Sequence, residues 1–263
     1  NLRITCGSML IFATLSALLR KATMEITPTK SGHPGLTTAL LDLLLPRQCI
    51  ACGAPVLETL DLCHLCSLTL EPIQDPCPVC AMPGPWGSPC LSCLGRPPPF
   101  VATRSAWAYG GQLAVAIQRL KYGGHAHLAP GLARLMGPCL PHHPKVDLSL
   151  PVPLHPSRLR WRGYNQAALL LRHIAGALPG RPAWGALRKV RPAPRQVALG
   201  REARLINLRG AFKVASPRLV NGARILLLDD VMTTGATATA CAEALLLAGA
   251  QEVRVLTLAR AVP

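Results

Sequence analysis

The sequence predicts an α/β fold, an open and mostly parallel sheet flanked by helices, preceded by a small cysteine-rich domain. Segments with strand and helix patterns alternate from residue 101 onward. The run Ile225–Leu228 is apolar without alternation, as in strands buried on both faces of a parallel sheet. Eight of the eleven cysteines stand in four equally spaced pairs ahead of these segments. The alternation, the buried strand and the cysteine pairs together predict this architecture.

Turn and cap signals assign the elements after residue 100 in order. Gly110-Gly111 separates the first strand from the first helix, Asn165 is a natural N-cap, and Gly249 suits the position after a helix end. The predicted strands cover 101–109, 146–152, 225–228 and 253–258, and the predicted helices cover 112–121, 165–178 and 238–248. The last two strands and the helix between them form a β-α-β unit.

The cysteine pairs have the spacing of metal ligands. Each pair is a Cys-x-x-Cys turn that points two thiolates at one ion, and two turns complete a tetrahedral zinc site. The ligand candidates are Cys49, Cys52, Cys63, Cys66, Cys77, Cys80, Cys90 and Cys93. They predict two structural Zn²⁺ ions, with the turns paired sequentially or, alternatively, cross-braced. Disulfides or a dithiol redox centre are less favoured, because three further cysteines suit a reducing compartment and four equal turns are redundant for redox work.

The Pro-rich run Gly95–Pro99 favours an extended spacer and divides the chain. The expected parts are an extension at 1–35, a double zinc-ribbon domain at 36–98 and the α/β domain at 99–263. The extension is expected to be disordered or to precede the true start, for which Met24 is a candidate. Its apolar run of fourteen residues, 6–19, is shorter than the roughly 20 of a membrane helix, so no transmembrane segment is expected.

The charge points to an anionic partner such as phosphate groups or nucleic acid. The chain has 28 Lys and Arg against 12 acids, a formal net charge of +16. Thirteen of these basic residues lie between Pro151 and Lys213, where Glu202 is the one acid. An arginine-rich codon bias is the alternative, and the uneven distribution weakens it.

A distinctive loop follows the buried strand, in the stretch ILLLDDVMTTGAT at 225–237. It lies at the carboxyl end of the strand, where ligands bind in open α/β sheets. Backbone N–H groups, hydroxyls and the helix terminus at Thr233, Thr234, Gly235, Ala236 and Thr237 suit one phosphate. The carboxylates of Asp229 and Asp230 suit the vicinal hydroxyls of a ribose, directly or through Mg²⁺. The stretch therefore predicts a ribose 5-phosphate site.

This stretch resembles the signature of type I phosphoribosyltransferases, in which four apolar residues, two acids and two apolar residues precede T-T-G-x-T. The resemblance implies that Asp229 and Asp230 hold the ribose of phosphoribosyl pyrophosphate (PRPP) and act as the candidate catalytic residues. It implies that Thr233–Thr237 holds the 5-phosphate and that Arg162-Gly163 forms the pyrophosphate loop. Purine-salvage transferases carry an aspartate where this chain has Thr233, so purine salvage is less favoured.

Over about residues 36–260, the chain resembles the ComF competence-protein family. The resemblance rests on LLDLLLPRQCIACGAP, the four cysteine turns, LKYGG at 120–124, PVPLHPSRLRWRGYNQA at 151–167 and RQVALGREARLINLRGAF at 195–212. It implies an amino-terminal zinc ribbon, a phosphoribosyltransferase-like domain and a cytoplasmic role in DNA uptake, with a competence-machinery helicase as a partner. It also implies a basic cleft lined by Lys121, Arg195, Gln196, Arg204 and Asn207.

Two functions are compatible with these residues. In the first, the chain handles single-stranded DNA through Arg158, Arg160 and Arg162, with Trp161 and Tyr164 as candidate stacking rings, while the pocket binds PRPP or a nucleotide with Mg²⁺. In the alternative, the chain is an active phosphoribosyltransferase that transfers ribose 5-phosphate to an unidentified acceptor. The sequence favours the first function for the cellular role and the second for the chemistry of the pocket, and the two can coexist. The weakness of the second is that no site for an acceptor base is recognisable.

Overall fold

The computed structural model describes residues 47–56, 61–85, 87–142, 145–192 and 206–262. These residues belong to one compact unit, Pro46–Pro263. The expectations for the extension at 1–35, and for Arg195, Gln196 and Arg204, lie outside the described residues.

The described chain has seven strands and eight α-helices, with short 3-10 turns between some of them. The strands are β1 (Ala102–Ala108), β2 (Leu148–Pro151), β3 (Arg181–Pro182), β4 (Leu187–Lys189), β5 (Phe212–Val214), β6 (Arg224–Met232) and β7 (Glu252–Arg260). The helices are α1 (His64–Ser67), α2 (Leu91–Gly95), α3 (Gly111–Tyr122), α4 (Ala129–Arg134), α5 (Pro156–Arg162), α6 (Gln166–Ile174), α7 (Pro217–Val220) and α8 (Ala236–Leu247).

Five strands form one sheet in the order β1-β7-β6-β2-β3, and every neighbouring pair is parallel. The central strand is β6, whose segment Ile225–Leu228 is fully buried. Strands β4 and β5 form a separate antiparallel hairpin. The predicted fold class, an open parallel sheet flanked by helices and preceded by four-cysteine sites, is confirmed.

Two element limits differ from the sequence prediction by four residues. The helix predicted to reach residue 178 ends at Ile174, and a 3-10 turn follows at Ala175–Ala177. Strand β6 does not end at Leu228 but continues to Met232, because β7 stays paired with it up to the register Met232↔Arg260. Both acids therefore lie on the strand itself, and the turn is confined to the residues after Met232.

The cysteine-rich segment packs on the sheet domain through α3 and α4. Arg119 on α3 donates from Nη1 to the carbonyl oxygens of Ile50 and Ala51, at 3.2 and 3.0 Å. Arg134 on α4 forms a two-bond ion pair with Asp61, with 2.7 Å between Nε and Oδ2. These contacts attach the first pair of cysteine turns directly to the helices that flank the sheet.

Across the described ranges, no helix combines the length and the apolar character that crossing a bilayer requires.

Candidate functional site

The eight cysteines of the four turns form two sets. Cys49, Cys52, Cys63 and Cys66 make the first set and Cys77, Cys80, Cys90 and Cys93 the second, which is the sequential pairing. Within each set all four Sγ atoms lie within 4.8 Å of one another. The Sγ atoms of Cys52 and Cys63, and those of Cys80 and Cys90, are 3.7 Å apart.

These distances fit zinc and not disulfides. A tetrahedral ion with Zn–S bonds of about 2.3 Å has sulfur atoms about 3.8 Å apart, whereas a disulfide brings them to about 2.05 Å. Burial opposes ionisation of Cys49, but hydrogen bonds from the main-chain N–H groups of Cys52 and Cys63 lower its pKa to about 6. The same balance lowers the pKa of Cys77 to about 7, helped by the N–H of Cys90. The two sets are structural zinc-ribbon sites.

The acids of β6 lie where the sheet opens. Strand β2 stops at Pro151, which pairs with Leu228, so β6 extends beyond its neighbour from Asp229 onward. Asp229 Oδ1 accepts from the N–H of Asp230 at 2.9 Å, and Asp230 Oδ1 accepts from the N–H of Val231 at 2.8 Å. The carboxylates therefore lie at the carboxyl edge of the sheet, beside the crevice left by the end of β2.

The two carboxyl groups differ in electrostatic environment. Asp230 is only 3% exposed, and its Oδ2 lies 2.9 Å from Nζ of Lys121 at the end of α3. Burial opposes the charge on Lys121, but the carboxylate of Asp230 outweighs it and the pKa of Lys121 is raised. Burial, and then the charge of Asp230, raise the pKa of Asp229 to about 8. The charge of Asp230 is therefore paired with Lys121, whereas burial and the neighbouring carboxylate disfavour the charge of Asp229.

The loop after β6, residues Thr233–Thr237, is called here the threonine loop. Gly235 has φ +80° and caps α8, which begins at Ala236. Thr234 Oγ1 accepts from the N–H of Ala236 at 3.4 Å. Within the described part of the chain, the N–H groups of Thr234 and Gly235 donate to no protein acceptor. The loop therefore presents donors at the positive end of a twelve-residue helix.

Arg260, which is 5% exposed, holds the threonine loop from the protein side. Its Nη1 donates to the carbonyl oxygens of Met232, at 3.0 Å, and of Thr233. Its Nε donates to the carbonyl oxygen of Cys80, at 3.0 Å. One buried guanidinium thus joins the second zinc site to the threonine loop.

A cavity of about 200 Å³ lies between these two parts. Its lining includes Met82 and Leu91 from the zinc ribbon and Thr234, Gly235 and Thr239 from the loop and α8.

The segment after β2 reaches the same edge of the sheet. Asn165 caps α6 through Oδ1 and donates from Nδ2 to the carbonyl oxygen of Val152 at 2.9 Å. Gly163, with φ +83°, ends α5. Arg162 Nη1 donates to Gln166 Oε1 at 2.6 Å. Arg162 thus ends helix α5 and Gly163 caps it, in the segment that follows β2, the strand next to the acids.

Of the other sequence-predicted residues, most are exposed and one is partly buried. Arg158 and Arg160 are exposed on α5, which has no buried residue, and Asn207 is also exposed. Tyr164, a candidate stacking residue, is partly buried and donates from its hydroxyl to the carbonyl oxygen of Leu120 at 2.6 Å. Its role is therefore structural. Trp161 is exposed.

Sequence reasoning missed Arg260 and Tyr122 and gave Lys121 no specific role. Arg260 carried one signal, since it follows the predicted strand 253–258 and so falls at the ligand edge. The pairing of Lys121 with Asp230 depends on how α3 lies on the sheet, and periodicity does not encode that placement. Tyr122 follows Lys121 in the LKYGG stretch, but its exposure is visible only in the fold.

Comparison with known proteins gives consistent matches. A family model described as a double zinc ribbon domain matches residues 40–94. DNA utilization protein YhgH of Salmonella typhimurium is 34% identical over 229 residues, covering 83% of this chain and 99% of that protein. Competence protein F of Haemophilus influenzae is 32% identical over 179 residues, covering 65% of this chain and 78% of that protein.

Among solved structures, the allosteric regulatory enzyme of purine biosynthesis aligns with 51% of this chain, at 20% identity and a TM-score of 0.33. The match covers 25% of that enzyme's chain.

Two four-cysteine zinc sites joined to an open parallel sheet with an acid pair and a threonine loop define a double-zinc-ribbon protein with an α/β domain. The similarity to YhgH extends over nearly the full length of that relative. The chain belongs to the ComF family.

Proposed function

We propose that this chain binds PRPP or a related ribose 5-phosphate ester together with Mg²⁺, and that it handles single-stranded DNA in the cytoplasm during natural transformation. Relatives are named a DNA utilization protein and a competence protein, and these names support the cellular part of the proposal. A helicase of the competence machinery is the protein partner that we propose for this role.

The main support for the proposed ligand is the position of the acid pair, Asp229 and Asp230, next to the threonine loop. Asp229 and Asp230 lie where β6 extends beyond β2, and the threonine loop begins three residues after Asp230. The distance along the chain suits a ribose, whose hydroxyls would meet the acids while its 5-phosphate meets the N–H groups of Thr234 and Gly235. Arg162, at the end of α5, would meet the pyrophosphate.

Mg²⁺ fits the donor set but has to compete with a proton. Carboxylate oxygens are ligands that Mg²⁺ prefers, and Asp229 and Asp230 supply them. The ion would neutralise charge on the pyrophosphate. Because the pKa of Asp229 is raised to about 8, an ion or ligand that needs its carboxylate form would displace a proton at neutral pH.

Calorimetry of the D229N/D230N variant with Mg²⁺ and PRPP tests the ligand. Amides fill the same volume but do not attract the ion, and losing two charge-assisted hydrogen bonds should weaken binding by about a hundredfold or more. The matched control is D147N. Asp147 pairs with Arg224, which begins β6, so this aspartate lies at the opposite edge of the sheet. Equal affinity of the parent and the double variant would place the ligand elsewhere.

Salt-dependent binding of a DNA oligonucleotide tests the second part. Arg158 and Arg160 are exposed on one helix, so R158A/R160A should remove two phosphate contacts. The slope of log affinity against log salt should fall by about 0.7 per contact. The matched control is R172A/R218A, which removes two exposed arginines from other helices. A parent that does not bind at low salt would contradict DNA handling.

Release of pyrophosphate tests the alternative function, an active phosphoribosyltransferase with Asp229 and Asp230 as catalytic residues. The parent would be incubated with Mg²⁺ and PRPP alone and then with each common nucleobase. Release that depends on one base, and that D229N/D230N abolishes, would identify an enzyme. Binding without release would favour a PRPP-binding role.

A further inference from the structure

Two large aromatic rings lie together on the surface near the acid pair of β6. Tyr122 ends α3 and Trp161 lies on α5; their ring centroids are 6.2 Å apart and their planes are inclined by 56°. Tyr122 is 60% exposed and Trp161 is 59% exposed. Aromatic rings of this size bring most of their stabilisation when buried, and this chain is only 4% aromatic. An exposed pair in such a chain therefore indicates a surface that contacts a ligand.

Arginine side chains accompany the two rings. The guanidinium carbon of Arg162 lies 5.2 Å from the centroid of the Tyr122 ring, and Gln166 Oε1 holds the same guanidinium. Arg158 and Arg160 are on the same helix as Trp161. An apolar partner helix would not match this charge. A polyanion whose bases carry flat rings would match both the arginines and the aromatic faces.

The two rings are held in a fixed relation to each other and to the pocket. The Tyr164 hydroxyl, just after α5, donates to the carbonyl oxygen of Leu120 on α3 at 2.6 Å. Lys121, the residue before Tyr122, pairs with Asp230 at 2.9 Å. The helix end that carries Tyr122 is therefore anchored on both sides, and a base stacked on it would lie at the rim of the acid site.

We propose that Tyr122 and Trp161 form a stacking platform for an unpaired base of single-stranded DNA, with the arginines of α5 contacting the flanking phosphates. The inference rests on the proposed DNA handling and adds the subsite that contacts a base. Stacking uses the face that all four bases share, so the platform would bind with little sequence preference.

The test compares an oligo(dT) strand with a strand of equal length and charge that has abasic sites in place of its bases. The parent should bind oligo(dT) roughly tenfold more tightly, as expected for about 1.4 kcal/mol of stacking. Y122L/W161L should lose this preference and keep the parent's salt slope. W184L is the matched control, because Trp184 is also exposed, at 53%, but lies outside α3 and α5.

The outcomes separate the platform from DNA binding in general. Equal affinity of the parent for both strands would overturn the platform and leave DNA handling intact. A parent that binds neither strand at low salt would overturn both. If Y122L/W161L weakened binding of both strands equally, the rings would support the arginines and would not stack a base. Quenching of Trp161 fluorescence by oligo(dT) but not by the abasic strand is the second expected readout.

Discussion

Asp229 is the residue on which the electrostatics of the site depend most. It lies on β6 next to a second carboxylate, and among the described residues no ion pair joins it to a cation as Lys121 is joined to Asp230. Burial and the neighbouring charge raise its pKa to about 8. Such an arrangement is unfavourable for the unliganded fold and is typical of sites whose geometry is selected for a ligand.

The free energy of unfolding, measured as a function of pH, should show the destabilising effect of Asp229. The unfolded pKa of an Asp is about 3.9, so between pH 4 and 8 the unfolded chain holds fewer protons than the folded chain at Asp229. The free energy of unfolding should therefore fall as pH rises, by up to about 1.4 kcal/mol per pH unit from this group. D229N should remove that slope and be more stable than the parent at pH 8.

Asp147 provides a control of opposite sign. Its hydrogen bonds with Arg224 lower its pKa to about 2. Its contribution to folding stability is therefore present above the unfolded pKa and is lost as pH falls toward 2. D147N should leave the slope between pH 5 and 8 unchanged. Parent and D229N curves that run parallel over that range would contradict an elevated pKa at Asp229.

At the scale of elements, the sequence predicted the β-α-β unit around β6 correctly, but it predicted the end of β6 less well. Strand β6, helix α8 and strand β7 were predicted from an unbroken apolar run, an Ala-rich segment and a second apolar run. The extension of β6 to Met232 was not predictable, because Asp229 and Asp230 have poor strand propensity and are held in the strand by pairing with β7. Strand propensity is a property of one segment, whereas the end of β6 also depends on its pairing with β7.

The threonine loop depends on the backbone of Gly235. Its φ of +80° is strained for any residue with a side chain, and the nearest atom to an added Cβ is Met232 Cε at 4.0 Å. G235A should cost about 1 kcal/mol in stability through strain and should weaken PRPP binding as the loop relaxes. G222A is the matched control, with φ +72° and nothing within 4 Å of the added Cβ. It should lose similar stability without losing affinity, as thermal unfolding and calorimetry would show.

At the scale of the whole molecule, the zinc ribbon and the sheet are joined by partly buried polar contacts. Arg260, which lies 180 positions after Cys80, joins that residue to the threonine loop, and Arg119 joins α3 to the first cysteine turn. The sequence located the zinc ligands because their spacing is local. It did not locate these contacts, because they arise from the packing of distant segments.

Replacing Arg260 should therefore loosen the threonine loop from a distance. R260M removes donors to the carbonyl oxygens of Cys80, Met232 and Thr233, so amide hydrogen exchange should accelerate at residues 232–236. Chelation of zinc should have the same effect, while the zinc content of R260M stays at two ions per chain. R119M, measured in parallel, should affect residues 49–52 instead. Unchanged exchange at 232–236 in R260M would show that the loop holds its shape alone.

Both arginines contact main-chain carbonyl oxygens of the ribbon, at Ile50, Ala51 and Cys80. Every amino acid has such an oxygen, so the non-cysteine side chains of these turns can change without loss of the contacts. The length of each turn cannot change in the same way, because one inserted residue would move the carbonyl away from its donor. Related chains can therefore diverge widely in side chains between the cysteines, while insertions and deletions within the turns should be rare.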